Sequence, residues 1–234
     1  MFAKLKPKTK NHYQSPVVNP NSSELELNKW IISDFVSEVL YPITKNRPFP
    51  LDEQMLMTET VCRFKPKYIF DWGTHIGKSA RIFWEIKNAF NIDCEIHSID
   101  LPDEEEHVEH PGQRRGELVL HLKDVKLHQG DGVSKSIEIY NKIAKNNETA
   151  IFYVDGDHSY DSVKRELGKI LEEIKNPIIL LHDTFNQDKK SKYNTGPHRA
   201  INYCLKNTNK KYSRIETQLG LPGMTLLYPA NFVS

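Results

Sequence analysis

From Tyr68 onward the chain alternates short apolar runs with longer stretches of helical periodicity, and few architectures accommodate that alternation. Repeated strand–helix units build a mostly parallel sheet covered by helices on both faces. The runs predict strands at 68–72, 95–99, 125–128, 150–154 and 177–181. Between them apolar residues recur at helical spacing, as in Tyr160, Val163, Leu167, Ile170, Leu171 and Ile174, which share one face. The tail departs from this rhythm. After a helix around 197–205, segments 212–217 and 224–228 read as two strands joined through Gly220-Leu221-Pro222-Gly223, the pattern of an antiparallel hairpin. No internal repeat is visible. The expected fold class is α/β.

The segment before Tyr68 divides in two. Residues 1–21 carry Pro7, Pro16 and Pro20 among Lys, Asn and Ser, a composition suited to a flexible arm. Residues 22–66 form an expected helical cap. Ser23 and Glu26 have capping-box spacing, and Leu27, Ile31, Phe35 and Val39 recur every four residues with Trp30 beside them. Pro42, Pro48 and Pro50 break that helix, and residues 51–64 predict a second. Residues 67–234 then make one domain, in keeping with a chain of 234 residues.

Composition narrows the partners. Lys and Arg total 32 against 31 Asp and Glu, so a net charge of +1 gives no signal for nucleic acid or an acidic membrane. Lys4, Lys6, Lys8 and Lys10 read as a solvated terminus. No apolar stretch has transmembrane length, and no apolar segment follows the lysine-rich start as in a secretion signal, so a cytoplasmic location is expected. Cys62, Cys94 and Cys204 are odd in number and widely spaced, which argues against a disulfide framework or zinc cluster. Periodicity does not say whether the cap helix packs on its own sheet or on a second subunit, so a homo-oligomer stays open.

Ligands of open α/β sheets bind outside the carboxyl ends of the strands, so polar residues there carry the chemistry. The first strand runs into Asp71-Trp72-Gly73-Thr74-His75-Ile76-Gly77-Lys78-Ser79. Its two glycines permit a tight strand-to-helix turn and close approach of a ligand to backbone N–H groups. The spacing is not the Gly-x-Gly-x-x-Gly of dinucleotide binders, and a carboxylate at Asp71 repels a pyrophosphate but attracts an ammonium group. The second strand ends in Asp100, placed to accept hydrogen bonds from ribose hydroxyls. The third runs into Gly130-Asp131-Gly132; alone, Asp131 is equally a turn residue or helix cap. The first segment resembles the opening motif of class I S-adenosylmethionine-dependent methyltransferases, acidic-x-Gly-x-x-x-Gly. In that family an acidic side chain at the position of Asp131 meets the adenine amino group. The resemblance implies a Rossmann-like sheet with S-adenosylmethionine held by Asp71, Gly73, Thr74, Gly77, Ser79, Asp100, Asp131, Gly132 and Asp155.

The fourth and fifth strands end in Asp155-Gly156-Asp157-His158-Ser159-Tyr160 and His182-Asp183-Thr184. With Lys65-Pro66 and Thr195-Gly196-Pro197-His198-Arg199-Ala200, these resemble the group that includes macrocin O-methyltransferase and the cephalosporin hydroxylase-like proteins, over residues 50–200. That likeness implies a divalent cation held by Asp155 with acidic residues of the fifth strand, and His158 as base. His182 departs from the group's pattern by standing where an acidic residue is common, and imidazole suits zinc, iron or manganese better than magnesium. The expected ligand set is Asp155, His182 and Asp183, with Mg²⁺ or another divalent cation; the alternative is that His182 and Asp183 only hydrogen-bond neighbouring loops. Asp157 reads as the cap of the helix after Ser159. The acidic run 103–110 reads as a solvated loop with a lid role open, and 186–196 as a mobile loop at the site's edge, with His198 and Arg199 beyond it as substrate contacts.

These residues together point to transfer of a methyl group to a hydroxyl of a small molecule, a sugar or secondary metabolite by the resemblance, with His158 and Asp155 at the reaction. The alternatives are a nicotinamide-dependent oxidoreductase, a hydrolase using the same Asp/His cluster on water, and a non-catalytic S-adenosylmethionine-binding protein.

Overall fold

A computed structural model describes residues 13–232 apart from 103, 106–113, 146–147, 189, 192 and 218. The acidic run expected as a solvated loop lies mostly outside these residues. Strands β1 (Tyr68–Trp72), β2 (Glu95–Asp100), β3 (Val125–Gln129), β4 (Ala150–Val154), β5 (Ile178–His182), β6 (Tyr212–Glu216) and β7 (Met224–Pro229) form one sheet in the order β3-β2-β1-β4-β5-β7-β6. The first five are parallel, and β7 runs antiparallel to both β5 and β6. All five parallel strands therefore deliver their last residues to one edge, and the chain reverses direction across the sheet between β1 and β4, where α/β sheets open a crevice.

Helices fill the connections: α4 (Lys78–Ala89), α5 (Gly132–Ile143), α6 (Tyr160–Glu173) and α7 (Gly196–Asn207). Before β1 come α1 (Lys29–Phe35), a π-helical stretch at Val36–Leu40, the short α2 (Tyr41–Thr44) and α3 (Leu51–Phe64). The strand alternation sorts side chains into two cores. Ile69, Ile151, Tyr153, Ile178 and Leu180 face the N-terminal helices and α4, whereas Phe70, Trp72, Phe152, Val154, Ile179 and Leu181 face α5, α6 and α7. The N-terminal helices thus share one core with the sheet.

The first helix begins later than its capping-box pattern predicts. Asn28 is the cap, its side chain accepting from the backbone of Trp30 and Ile31, while Leu27 is held in a bridge to Val17. The described part of the expected arm lies along the body: Tyr13 packs on Phe35 and Phe90 and donates to Glu38. The three cysteines are buried and unbridged, and burial pushes the Cys94 thiol up to about 12. Among the described residues no helix is long and apolar enough to cross a membrane.

His97 sits inside β2, stacked on His128 and beside Phe70 and Tyr68. Burial, then His128 and Lys126, drive its pKa from 6.5 to about 4, with Glu95 opposing. The unfolded chain therefore binds a proton that the folded chain refuses, and stability falls as pH drops from about 6.5 toward 4, by up to about 3 kcal/mol. Asp71 and Glu166, whose buried carboxyls are lifted to about 7, contribute the opposite slope, so the comparison must be with a variant. In urea denaturation across this range, His97→Leu is expected to lose less stability on acidification than the wild type; parallel curves would contradict the assignment.

Candidate active site

The turn after β1 is set by glycine. Gly73 and Gly77 have φ of 85° and 87°, a region that side chains disfavour. A Cβ on Gly73 would stand 2.1 Å from the Asp155 carbonyl oxygen, so the turn lies directly on the β4 loop. Asp100, at the end of β2, accepts from the His75 backbone N–H at 2.7 Å and from that of Leu101 at 2.8 Å. The carboxylate expected at the ribose thus also braces the glycine turn.

Asp71 is the residue expected at an ammonium group. It is fully buried beneath the turn, where it accepts from the Ser98 hydroxyl, which in turn meets Thr74. Burial, opposed by the Ser98 and Ser79 hydroxyls, raises its carboxyl to about 7. It supports the turn from below, and Thr74 and Ser79 are buried with it. Asp131 caps α5 by accepting from Ser134, and Arg165 grips both its oxygens, at 2.7 and 3.2 Å. That ion pair holds its carboxyl far below the ordinary range. The carboxylate assigned to the adenine amino group is thus engaged within the protein. Gly132 follows it because a side chain there would strike the Trp72 ring.

The ends of β4 and β5 bring four side chains together. Asp155, His158, His182 and Asp183 each offer a donor atom, all within 4.8 Å of one another. His158 Nε2 lies 3.3 Å from Asp155 Oδ1 and 3.1 Å from Asp183 Oδ2. His182 Nδ1 lies 2.9 Å from the same Asp155 oxygen and 3.8 Å from Asp183 Oδ2. The other Asp155 oxygen accepts from the Tyr153 hydroxyl at 3.1 Å. Burial favours a neutral Asp155, but the two histidines outweigh it and hold the carboxyl at about 2. Burial likewise opposes charge on His158 and His182, yet the facing carboxylates raise both above the ordinary imidazole value, His182 strongly.

Asp183 adopts φ 57°, a left-handed conformation that aspartate tolerates better than most residues. Tyr193 and Asn194, from the loop expected to be mobile, reach it: the Tyr193 hydroxyl donates to Oδ1 and the Asn194 amide to Oδ2, each at 2.8 Å. Asp157 accepts from the backbone and hydroxyl of Ser159, which is itself the cap of α6. Asp157 therefore acts one step before the cap it was expected to provide. His198 lies against Arg214, and Arg199 stacks on Tyr160.

Sequence reasoning missed Glu53. It projects from α3, buried, with Oε2 at 3.0 Å from His182 Nε2 and Oε1 accepting from the Gly223 backbone N–H at 2.8 Å. The only signal was an acidic residue in the first turn of a helix otherwise expected to cap the sheet.

A mostly parallel sheet with this strand order and an antiparallel β7, a glycine turn after β1 and an acidic end to β2 defines a class I methyltransferase fold. The sequence profile of the rhamnosyl O-methyltransferase/CmcI family matches residues 47–225, and the chain belongs to that family. It is an S-adenosylmethionine-dependent O-methyltransferase. Among solved structures, the O-methyltransferase from Bacillus cereus in complex with S-adenosylhomocysteine is 13% identical, with 92% of this chain and 94% of that chain covered and a TM-score of 0.54. Apo CmcI is 18% identical over 76% of this chain and 71% of that chain, with a TM-score of 0.54. The Podospora anserina methyltransferase PaMTH1 bound to S-adenosylhomocysteine is 16% identical over 84% and 88%, with a TM-score of 0.53. No curated protein matches the sequence significantly.

Proposed function

We propose that the acceptor is a hydroxyl of a small molecule, a sugar or secondary metabolite, and that His158 takes its proton. The sugar reading is supported by the family's rhamnosyl O-methyltransferase members. The observation that carries the residue roles is the contact of Gly73 with Asp155: the turn that holds the methyl donor and the loop that holds the base are adjoining pieces of backbone. Asp100 takes the ribose, the Gly73–Gly77 turn takes the amino-acid end, and the Asp131–Gly132 step borders the base.

The acceptor oxygen forms a bond to the methyl carbon as the carbon–sulfur bond breaks, its electron pair passing to sulfur and neutralising the sulfonium. With Nε2–H of His158 facing Asp155 and Asp183, the neutral ring's lone pair is on Nδ1; the hydroxyl proton goes there, and the two carboxylates stabilise the imidazolium that results. In-line placement of the three reacting atoms is the larger part of the task, and rigid strand ends provide it.

Asp155, His182 and Asp183 fit a divalent cation. Two carboxylates and one imidazole converge with donor separations of 2.9 and 3.8 Å from His182 Nδ1, and three protein donors leave positions open for acceptor oxygens. When bound, the cation supplies a lower pKa for the acceptor hydroxyl.

Calorimetry tests the cofactor reading. The wild type is expected to bind S-adenosylmethionine and S-adenosylhomocysteine and not NAD. Asp100→Ala, which removes a charged hydrogen-bonding partner, is expected to weaken that binding about 10- to 100-fold. Binding of NAD with neither sulfur compound would sink the assignment.

A further inference from the structure

We propose that Glu53 is a positioning residue that presents Nδ1 of His182 to the Asp155–Asp183 cluster, tuning the site to a first-row transition cation rather than Mg²⁺. The proposal rests on the cation-assisted reading of that cluster. His182 would be a poor ligand if its ring could turn or its proton could change nitrogens. The structure removes both freedoms. Nε2 faces Glu53 at 3.0 Å, and Glu53 cannot swing away because its other oxygen accepts from the Gly223 N–H. Phe49 lies edge-on to the imidazole, 5.0 Å between ring centres. With the Nε2 proton directed to Glu53, a cation displaces the Nδ1 proton that otherwise faces Asp155, and the Nδ1 lone pair is then what the ring offers to the cluster, the carboxylate–histidine arrangement that orients metal-bound imidazoles.

The spacing agrees. Bonds of about 2.0–2.2 Å place neighbouring donors about 2.9–3.5 Å apart in octahedral or tetrahedral geometry. His182 Nδ1 stands 2.9 Å from Asp155 Oδ1 and 3.8 Å from Asp183 Oδ2. Mg²⁺ prefers oxygen and dehydrates reluctantly, whereas Mn²⁺, Co²⁺ and Zn²⁺ accept imidazole readily. Glu53 thus acts from α3, on the opposite side of His182 from the reacting atoms.

The informative variant is Glu53→Gln. The amide oxygen can still accept from Gly223, which leaves the amide N–H₂ facing His182 Nε2. A donor there moves the imidazole proton to Nδ1 and blocks the lone pair the cation needs. Titrating the full-length chain with Co²⁺, followed by calorimetry and visible absorption, is expected to give nitrogen-influenced d–d bands and tight binding in the wild type. Glu53→Gln is expected to weaken Co²⁺ binding about 10- to 100-fold and alter the bands, with Mg²⁺ binding nearly unchanged. His182→Glu is expected to shift the preference toward Mg²⁺. Glu53→Asp, which keeps a carboxylate, serves if Glu53→Gln does not fold, and a partial loss is expected. Identical Co²⁺ affinity and spectrum in wild type and Glu53 variants would overturn the proposal, as would a wild type that binds neither cation. Binding of S-adenosylhomocysteine is measured alongside: its loss in the wild type would strike the cofactor reading and leave the cation result standing on its own.

Discussion

His158→Ala is expected to lower kcat by about 10²- to 10⁴-fold, the usual worth of a positioned general base, while S-adenosylhomocysteine still binds. The ring stands between Asp155 and Asp183 and is one-fifth exposed, whereas Asp183 is nearly enclosed. It is therefore the member of the cluster that an arriving hydroxyl can meet. Removing it also leaves two carboxylates facing each other with less positive charge between them, so a stability loss is expected with the rate loss. His158→Gln separates the two effects. The amide can donate to one of the carboxylates and recover part of the stability, but it cannot accept a proton at neutral pH, so the rate stays low. Single-turnover kinetics on an identified acceptor with urea denaturation of both variants make the measurement. A His158→Gln enzyme that transfers at the wild-type rate would remove the base from His158.

Gly73→Ala is expected to be as damaging, for a mechanical reason. The new methyl would stand 2.1 Å from the Asp155 carbonyl oxygen and 2.9 Å from its carbon, both backbone atoms with no rotamer to yield. The residue would also be held at φ 85°, which disfavours any side chain. Strained φ of this kind costs on the order of 1–3 kcal/mol and overpacking a similar amount. A loss of about 2–6 kcal/mol is therefore expected from chemical denaturation, with cofactor affinity and transfer both reduced in whatever still folds. Gly156→Ala is the comparison: its Cβ would meet only the Trp72 ring, at 3.4 Å, and a much smaller loss is expected. Equal losses at the two glycines would show that contact with the Asp155 backbone is not what demands Gly73.

The elements that were legible in the sequence are those whose boundaries are punctuated locally. β1 and α3 begin and end where the apolar pattern places them, because Pro50 stands before the helix, Lys65-Pro66 follows it and Gly73 follows the strand. β5 is displaced by one residue, to Ile178–His182: Pro177 has no N–H for the ladder, and His182 pairs with Met224 of a strand lying far along the chain. The order of acidic strand ends was likewise readable, since it depends on the strand–helix rhythm alone. What could not be read is partnership across the fold. Nothing near Asp131 announces Arg165, which arrives from α6. Glu53 is separated from His182 by 129 positions, and no local pattern distinguishes it from Asp52 beside it. Burial separates them: Glu53 is enclosed and Asp52 is not.

The contact between Gly73 and Asp155 carries one more implication, for precision. Side chains hop between rotamers, and a joint built of them lets the parts it connects drift. Here main chain rests on main chain, so the loop proposed to bear the methyl donor and the loop proposed to bear the proton acceptor are expected to move as one piece. Thermal motion that shifts either loop is then expected to shift its counterpart in the same sense and to preserve the span between donor and base.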